Sequence, residues 1–107
     1  RVLRADVNYT QGWVTLNCGD PVGAIEHLRL ALDEYRELGE YDGFGYPMHA
    51  MAQCYLAMGN FDGLRECIAE TTEVNKLATI KGTRLRALIR TIQEMIDAEE
   101  PREDSEG

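Results

Sequence analysis

The sequence predicts an all-α fold: two helical hairpins stacked side by side and closed by a fifth helix. Two observations carry this. Apolar residues recur at three- and four-residue steps through most of the chain, the period of a helix with one buried face. The elbow Leu16-Asn17-Cys18-Gly19-Asp20 returns as Leu56-Ala57-Met58-Gly59-Asn60, 40 residues later. A fixed offset of this kind marks stacked supersecondary units. The same offset pairs Gly12 with Ala52, Gly23 with Gly63, Glu26 with Glu66 and Leu28 with Ile68.

The first helix is predicted over about Val2 to Cys18. Its apolar residues Leu3, Val7, Trp13, Val14 and Leu16 spread over more than one face, as in a helix covered on two sides. Asp20 suits an N-cap, and Pro21 suits the first helical position, where its missing N–H does no harm. The second helix then runs to about Leu38, with Ile25, Leu28, Leu32 and Tyr35 as its stripe and Gly39 ending it. The connection from Glu40 to Pro47 holds two glycines and a proline, which are loop signals. The third helix is expected from about Asp42, irregular until Pro47, and to run to Met58. Met48, Met51, Ala52 and Tyr55 share its apolar face. Gly59 closes that helix in the left-handed conformation, and Asn60 caps the next.

The fourth helix is predicted from Phe61 to about Ala78, with Leu64, Cys67, Ile68, Thr71 and Val74 in register. Gly82 and Thr83 supply a break and a cap. The fifth helix follows from about Arg84 to Glu99, on the stripe Leu85, Leu88, Ile89, Ile92 and Ile96. Pro101 blocks extension. One domain therefore spans 1–99, with repeats over about 5–39 and 42–79 and a closing helix over about 84–99. Residues 100–107 read as a disordered acidic tail.

Composition narrows the function. Hydrophobic residues make up 44% of the 107, which suits a packed core. No run is long enough to span a bilayer and no signal-peptide pattern opens the chain. The first residue is Arg1 rather than methionine, as expected of a piece of a longer protein. The three cysteines, Cys18, Cys54 and Cys67, are an odd number within helical patterns, so free thiols in a reducing, cytoplasmic setting are expected. Net charge is −8. Residues 76–93 nevertheless carry Lys76, Lys81, Arg84, Arg86 and Arg90 and no acid. The overall sign argues against nucleic-acid binding, which needs a positive field.

No catalytic constellation is legible. His27 and His49 lie on different repeats without metal-ligand spacing, and Gly43-Phe44-Gly45 lacks the flanking strand and lysine of a phosphate loop. No enzyme, metal site or cofactor is expected.

The repeated elbow, the small residues Gly12 and Ala52, Tyr55 after Ala52, the Gly19-Asp20 and Gly59-Asn60 turns, Phe61, and the alanines Ala24 and Ala31 together resemble the tetratricopeptide repeat (TPR) family. The resemblance covers about residues 5–79. Thr15, Pro21, Leu64 and Thr71 depart from the pattern, and the period is longer than the family's usual 34. The lengthening, through Leu32 to Gly39, is similar to repeats of signalling ATPases, transcription regulators and kinesin light chain.

The resemblance implies a superhelical stack whose first helices line a concave groove that binds proteins or peptides. The groove positions would be Asp6, Tyr9, Trp13 and Asn17 in the first repeat, and Tyr46, His49, Gln53 and Leu56 in the second. Tyr9 and Trp13, one turn apart, would form an aromatic anchor; the alternative is that Trp13 packs between helices as core. Arg86 and Arg90, also one turn apart, either grip an acidic segment or form a solvated basic face. Tyr9, Trp13 and Ala50 stand where some members carry the lysine and asparagines that hold a chaperone's C-terminal carboxylate, so that role is not expected. The expected function is a non-catalytic protein–protein or peptide interaction module of a larger cytoplasmic regulatory protein. The alternative is self-association, or a spacer role, through the uncovered N-terminal end.

Overall fold

The computed structural model describes residues 2–41, 43–77 and 83–101. Five helices appear in chain order: α1 (Val2–Asn17), α2 (Pro21–Leu38), α3 (Gly45–Met58), α4 (Phe61–Leu77) and α5 (Thr83–Glu99). No strand occurs among the described residues, so the fold is all-α. The expected end at Ala78, the break at Gly82 and the tail 102–107 lie outside the described residues, as does Asp42. No helix of the described residues is long and apolar enough to cross a membrane.

The two elbows are built alike. Past α1, the Gly19 N–H donates to the Leu16 carbonyl at 2.9 Å and the Asp20 N–H to the Thr15 carbonyl at 3.1 Å. Past α3, Gly59 and Asn60 make the same bonds to Leu56 and Tyr55 at 3.0 and 2.9 Å. Both glycines have positive φ, +90° and +69°, which satisfies the last carbonyls only in a left-handed residue. The following cap repeats too. The Gly23 N–H donates to Asp20 Oδ1, and the Gly63 N–H to Asn60 Oδ1, each at 2.9 Å. The 40-residue offset read in the sequence is therefore a geometric repeat at the elbows.

The helices form two layers. α1, α3 and α5 lie side by side, with α3 touching both neighbours, while α2 and α4 pack on the other side. The crossings inside each hairpin are close. A Cβ on Gly12 would lie 2.5 Å from Leu28 Cδ2, and Ala52 is fully buried. The core is continuous, from Ala24, Leu28, Leu32 and Tyr35 through Phe44, Met48, Met51 and Leu64 to Leu85, Ile92 and Ile96.

α2 and α4 do not meet through their backbones; side chains join them instead. The Arg29 guanidinium donates through both Nη atoms to Glu70, at 2.9 Å each, and Arg36 adds a third contact at 3.3 Å. Arg29's hydrogen bonds hold the Glu70 carboxyl below the usual carboxylate range, against the opposing effect of burial.

One boundary departs from expectation. α3 starts at Gly45, not near Asp42. The Phe44 N–H turns back to the Tyr41 carbonyl at 3.2 Å, and Phe44 is fully buried. Burying that ring fixes the chain's path before the helix begins. Pro47 then falls within the first turn, where its missing N–H costs nothing.

Candidate functional site

The α1–α3–α5 layer carries the candidate site. On α1, Tyr9 and Trp13 are one turn apart and meet edge to face, with ring centroids at 6.4 Å. Both are half-buried and pack against the core. Trp13 is thus at once a core-packing residue and part of the layer's surface. Tyr9 reaches across to Tyr46 on α3, at 6.5 Å and a tilt of 47°. Tyr46 is 48% exposed. Arg84, at the start of α5, lays its guanidinium 4.9 Å above the Tyr46 ring. Trp13, Tyr9, Tyr46 and Arg84 therefore run in contact across three helices.

Beside this run a cleft of about 270 Å³ opens between α3 and α5. Gly45, Tyr46 and His49 line one wall; Arg84, Ala87, Leu88 and Thr91 line the other. Gly45 permits the approach, since a Cβ there would sit 3.3 Å from Leu85 Cδ2. His49 and Gln53 are paired one turn apart, Nε2 to Nε2 at 3.4 Å. The Thr91 hydroxyl donates to the Ala87 carbonyl at 2.9 Å, leaving its oxygen an acceptor.

The remaining expected positions fall as follows. Asp6 accepts a 2.7 Å hydrogen bond from the Tyr35 hydroxyl and so ties α1 to α2. Burial first, and this bond second, push the Tyr35 phenol up. Asn17 is exposed at the last turn of α1, and Leu56 is half-buried against the core. Arg86 and Arg90 are exposed. They stand about 200° and 240° around α5 from Arg84, at 100° per residue, and do not line the cleft. The basic residue that reaches the cleft is Arg84. Its signal in the sequence was its spacing: Arg84, Ala87, Leu88 and Thr91 follow a helical period facing α3.

The arrangement offers apolar and aromatic surface, one cation and a few hydrogen-bonding groups. Among the described residues no group of three or more His, Cys, Asp or Glu side chains could hold a metal. Cys54 and Cys67 are buried free thiols, pushed up by burial to about 11 and about 12, while Cys18 is exposed. No protein-family model, curated protein or solved structure matches the chain.

Proposed function

We propose that this chain is a non-catalytic interaction module of the TPR type that holds a protein or peptide segment along the α1–α3–α5 face, within a larger cytoplasmic regulator. The observation that carries the reading is the contacting run of Trp13, Tyr9 and Tyr46 beside an open cleft. Aromatic side chains partly seated in a core are rigid, and rigid aromatic surface is what binding anchors are made of. The matching elbows at a 40-residue offset, the close crossings at Gly12 and Ala52, and the first helices in one layer support the family assignment. The free thiols suit a reducing compartment.

The test is selection from a random peptide library on the wild-type chain. Selected peptides should lose about tenfold or more in affinity, about 1.4 kcal/mol, on the Tyr9→Ala/Trp13→Ala variant. Peptides that bind both proteins equally, or a library that yields none, would refute the groove reading.

A second reading, self-association through the first hairpin, is favoured by one observation. Val7 and Val14 of α1 are 49% and 56% exposed, whereas their counterparts 40 residues on, Pro47 and Cys54, are buried. Light scattering over a range of concentrations tests it, and a monomer throughout would remove it.

A further inference from the structure

Resting on the reading of the α1–α3–α5 face as a peptide groove, we infer that the α3–α5 cleft is a receptor for a carboxylate-bearing side chain, with Arg84 as the binding group and Tyr46 as the plate that orients it. The partner is then an acidic segment: an aspartate or glutamate beside an apolar residue.

Three features of the molecule argue for this. The first is the distribution of partners among the cations. Arg29, Arg36, Arg65 and Lys76 each contact a carboxylate within the chain. Arg84, Arg86 and Arg90 show no such contact among the described residues, in a protein of net charge −8, and of these three Arg84 is the one that lines the cleft. A cation without an internal partner at the wall of a cleft, in an acidic protein, offers an anion attraction where most of the surface repels it.

The second feature is orientation. The Arg84 guanidinium lies over the Tyr46 ring, 4.9 Å from its centroid, and contact with a ring face leaves the N–H donors at the guanidinium edge free to bond. That edge presents two parallel donors in the geometry a carboxylate accepts. Stacking also fixes a long side chain before the ligand arrives, which lowers the ordering cost of binding.

The third feature is the surrounding charge. Neither α3 nor α5 has an acidic residue in its first turn, and α3 has no side-chain cap. Gly45, the first residue of α3, and Arg84, the second of α5, line the same cleft. Both positive helix ends therefore add to the field of Arg84. The walls at Ala87 and Leu88 are apolar, and the volume of about 270 Å³ accepts a side chain rather than a folded domain.

The assignment separates Arg84 from Arg86 and Arg90. A solvated basic face would use all three alike; a receptor in the cleft uses only the first.

The probes are labelled ten-residue peptides selected on the wild-type chain, each prepared in two forms, with its acidic residues kept or replaced by the corresponding amides. Fluorescence anisotropy gives both affinities on four proteins: wild type, Arg84→Gln, Tyr46→Leu and the double variant Arg86→Gln/Arg90→Gln. The wild type should prefer the acidic form by about tenfold or more, the worth of a charge-assisted pair. Arg84→Gln should bind both forms equally, at the affinity of the amide form on wild type. Tyr46→Leu should lose part of the preference, and the double variant should keep it. Circular dichroism checks that each variant stays helical.

Equal binding of the two forms by wild type would overturn the receptor while leaving the groove reading intact. A preference that survives Arg84→Gln, or disappears in Arg86→Gln/Arg90→Gln, would overturn it as well and move the anion to the outer face. A library that yields no binding peptide on the wild-type chain would sink both readings together.

Discussion

The ion pair between Arg29 and Glu70 should be worth measuring by a double-mutant cycle, because it joins two helices whose backbones do not meet. Two unit charges about 4 Å apart interact by about 4 kcal/mol at an effective dielectric of about 20. Arg29 is 41% exposed and Glu70 19%, so solvent screening and desolvation remove more than half of that. The bidentate geometry retains the rest, a coupling of about 1–2 kcal/mol. Arg29→Gln, Glu70→Gln and the double variant should be compared by urea unfolding. Glu70→Gln also loses Arg36, so its melting midpoint should drop furthest, at about 4–8 °C per kcal/mol for a domain of this size.

The pH dependence has a definite sign. Glu70 is ionised at lower pH in the folded chain than in the unfolded one, because Arg29 donates two hydrogen bonds to it. Its contribution is complete above the unfolded value, about 4.3, and is lost as pH falls through the lower folded value. Below about pH 4.5 the wild type should lose stability more steeply than Glu70→Gln. A coupling below about 0.3 kcal/mol, the ordinary error of additivity, would refute the argument that this fork joins the two hairpins.

Gly59→Val should destabilise by about 1–2 kcal/mol, because φ is +69° there and a β-branched residue resists that conformation; chemical denaturation reads it directly. Ala52→Leu should cost about 1–3 kcal/mol by overpacking a fully buried site, and an unchanged midpoint would mean that the crossing is looser than described. A thiol reagent at pH 8 should modify Cys18 alone in the native protein and all three cysteines in urea, which intact-mass measurement distinguishes. Glu100→Gln breaks a contact to an exposed Arg65 and should leave the melting midpoint unchanged within error.

The elements that were legible in the sequence are those set by local chemistry. Gly19 and Gly59 stop their helices because no side chain resists a positive φ there, and Asp20 and Asn60 cap because their oxygens reach the third N–H. Each of these decisions involves residues within five positions of one another. The start of α3 was not local. The helix begins at Gly45, directly after the buried Phe44, and burial depends on helices distant in sequence. The same distinction applies to the site. Tyr9 and Trp13 could be paired from their spacing, and Tyr46 and His49 could be aligned with them through the repeat. The arginines could not be chosen in this way. Which of Arg84, Arg86 and Arg90 faces α3 depends on the rotation of α5, and that is set by how Leu85, Leu88, Ile92 and Ile96 seat in the core.

Among the described residues, α3 touches all four other helices, while α5 touches only α3 and α4. The two walls of the cleft therefore differ in how readily they open. Exposing α3 requires the whole domain to come apart, so its amides should exchange with solvent only through global unfolding. α5 can detach alone, at a fraction of that free energy. A ligand clasped between the two binds only while α5 is docked, and at a hundred times its dissociation constant it adds about 2.7 kcal/mol to the work of detaching that helix. Occupancy of the cleft is thereby written into the exchange rates of Arg86 through Met95, residues on a helix whose outer face the ligand never touches.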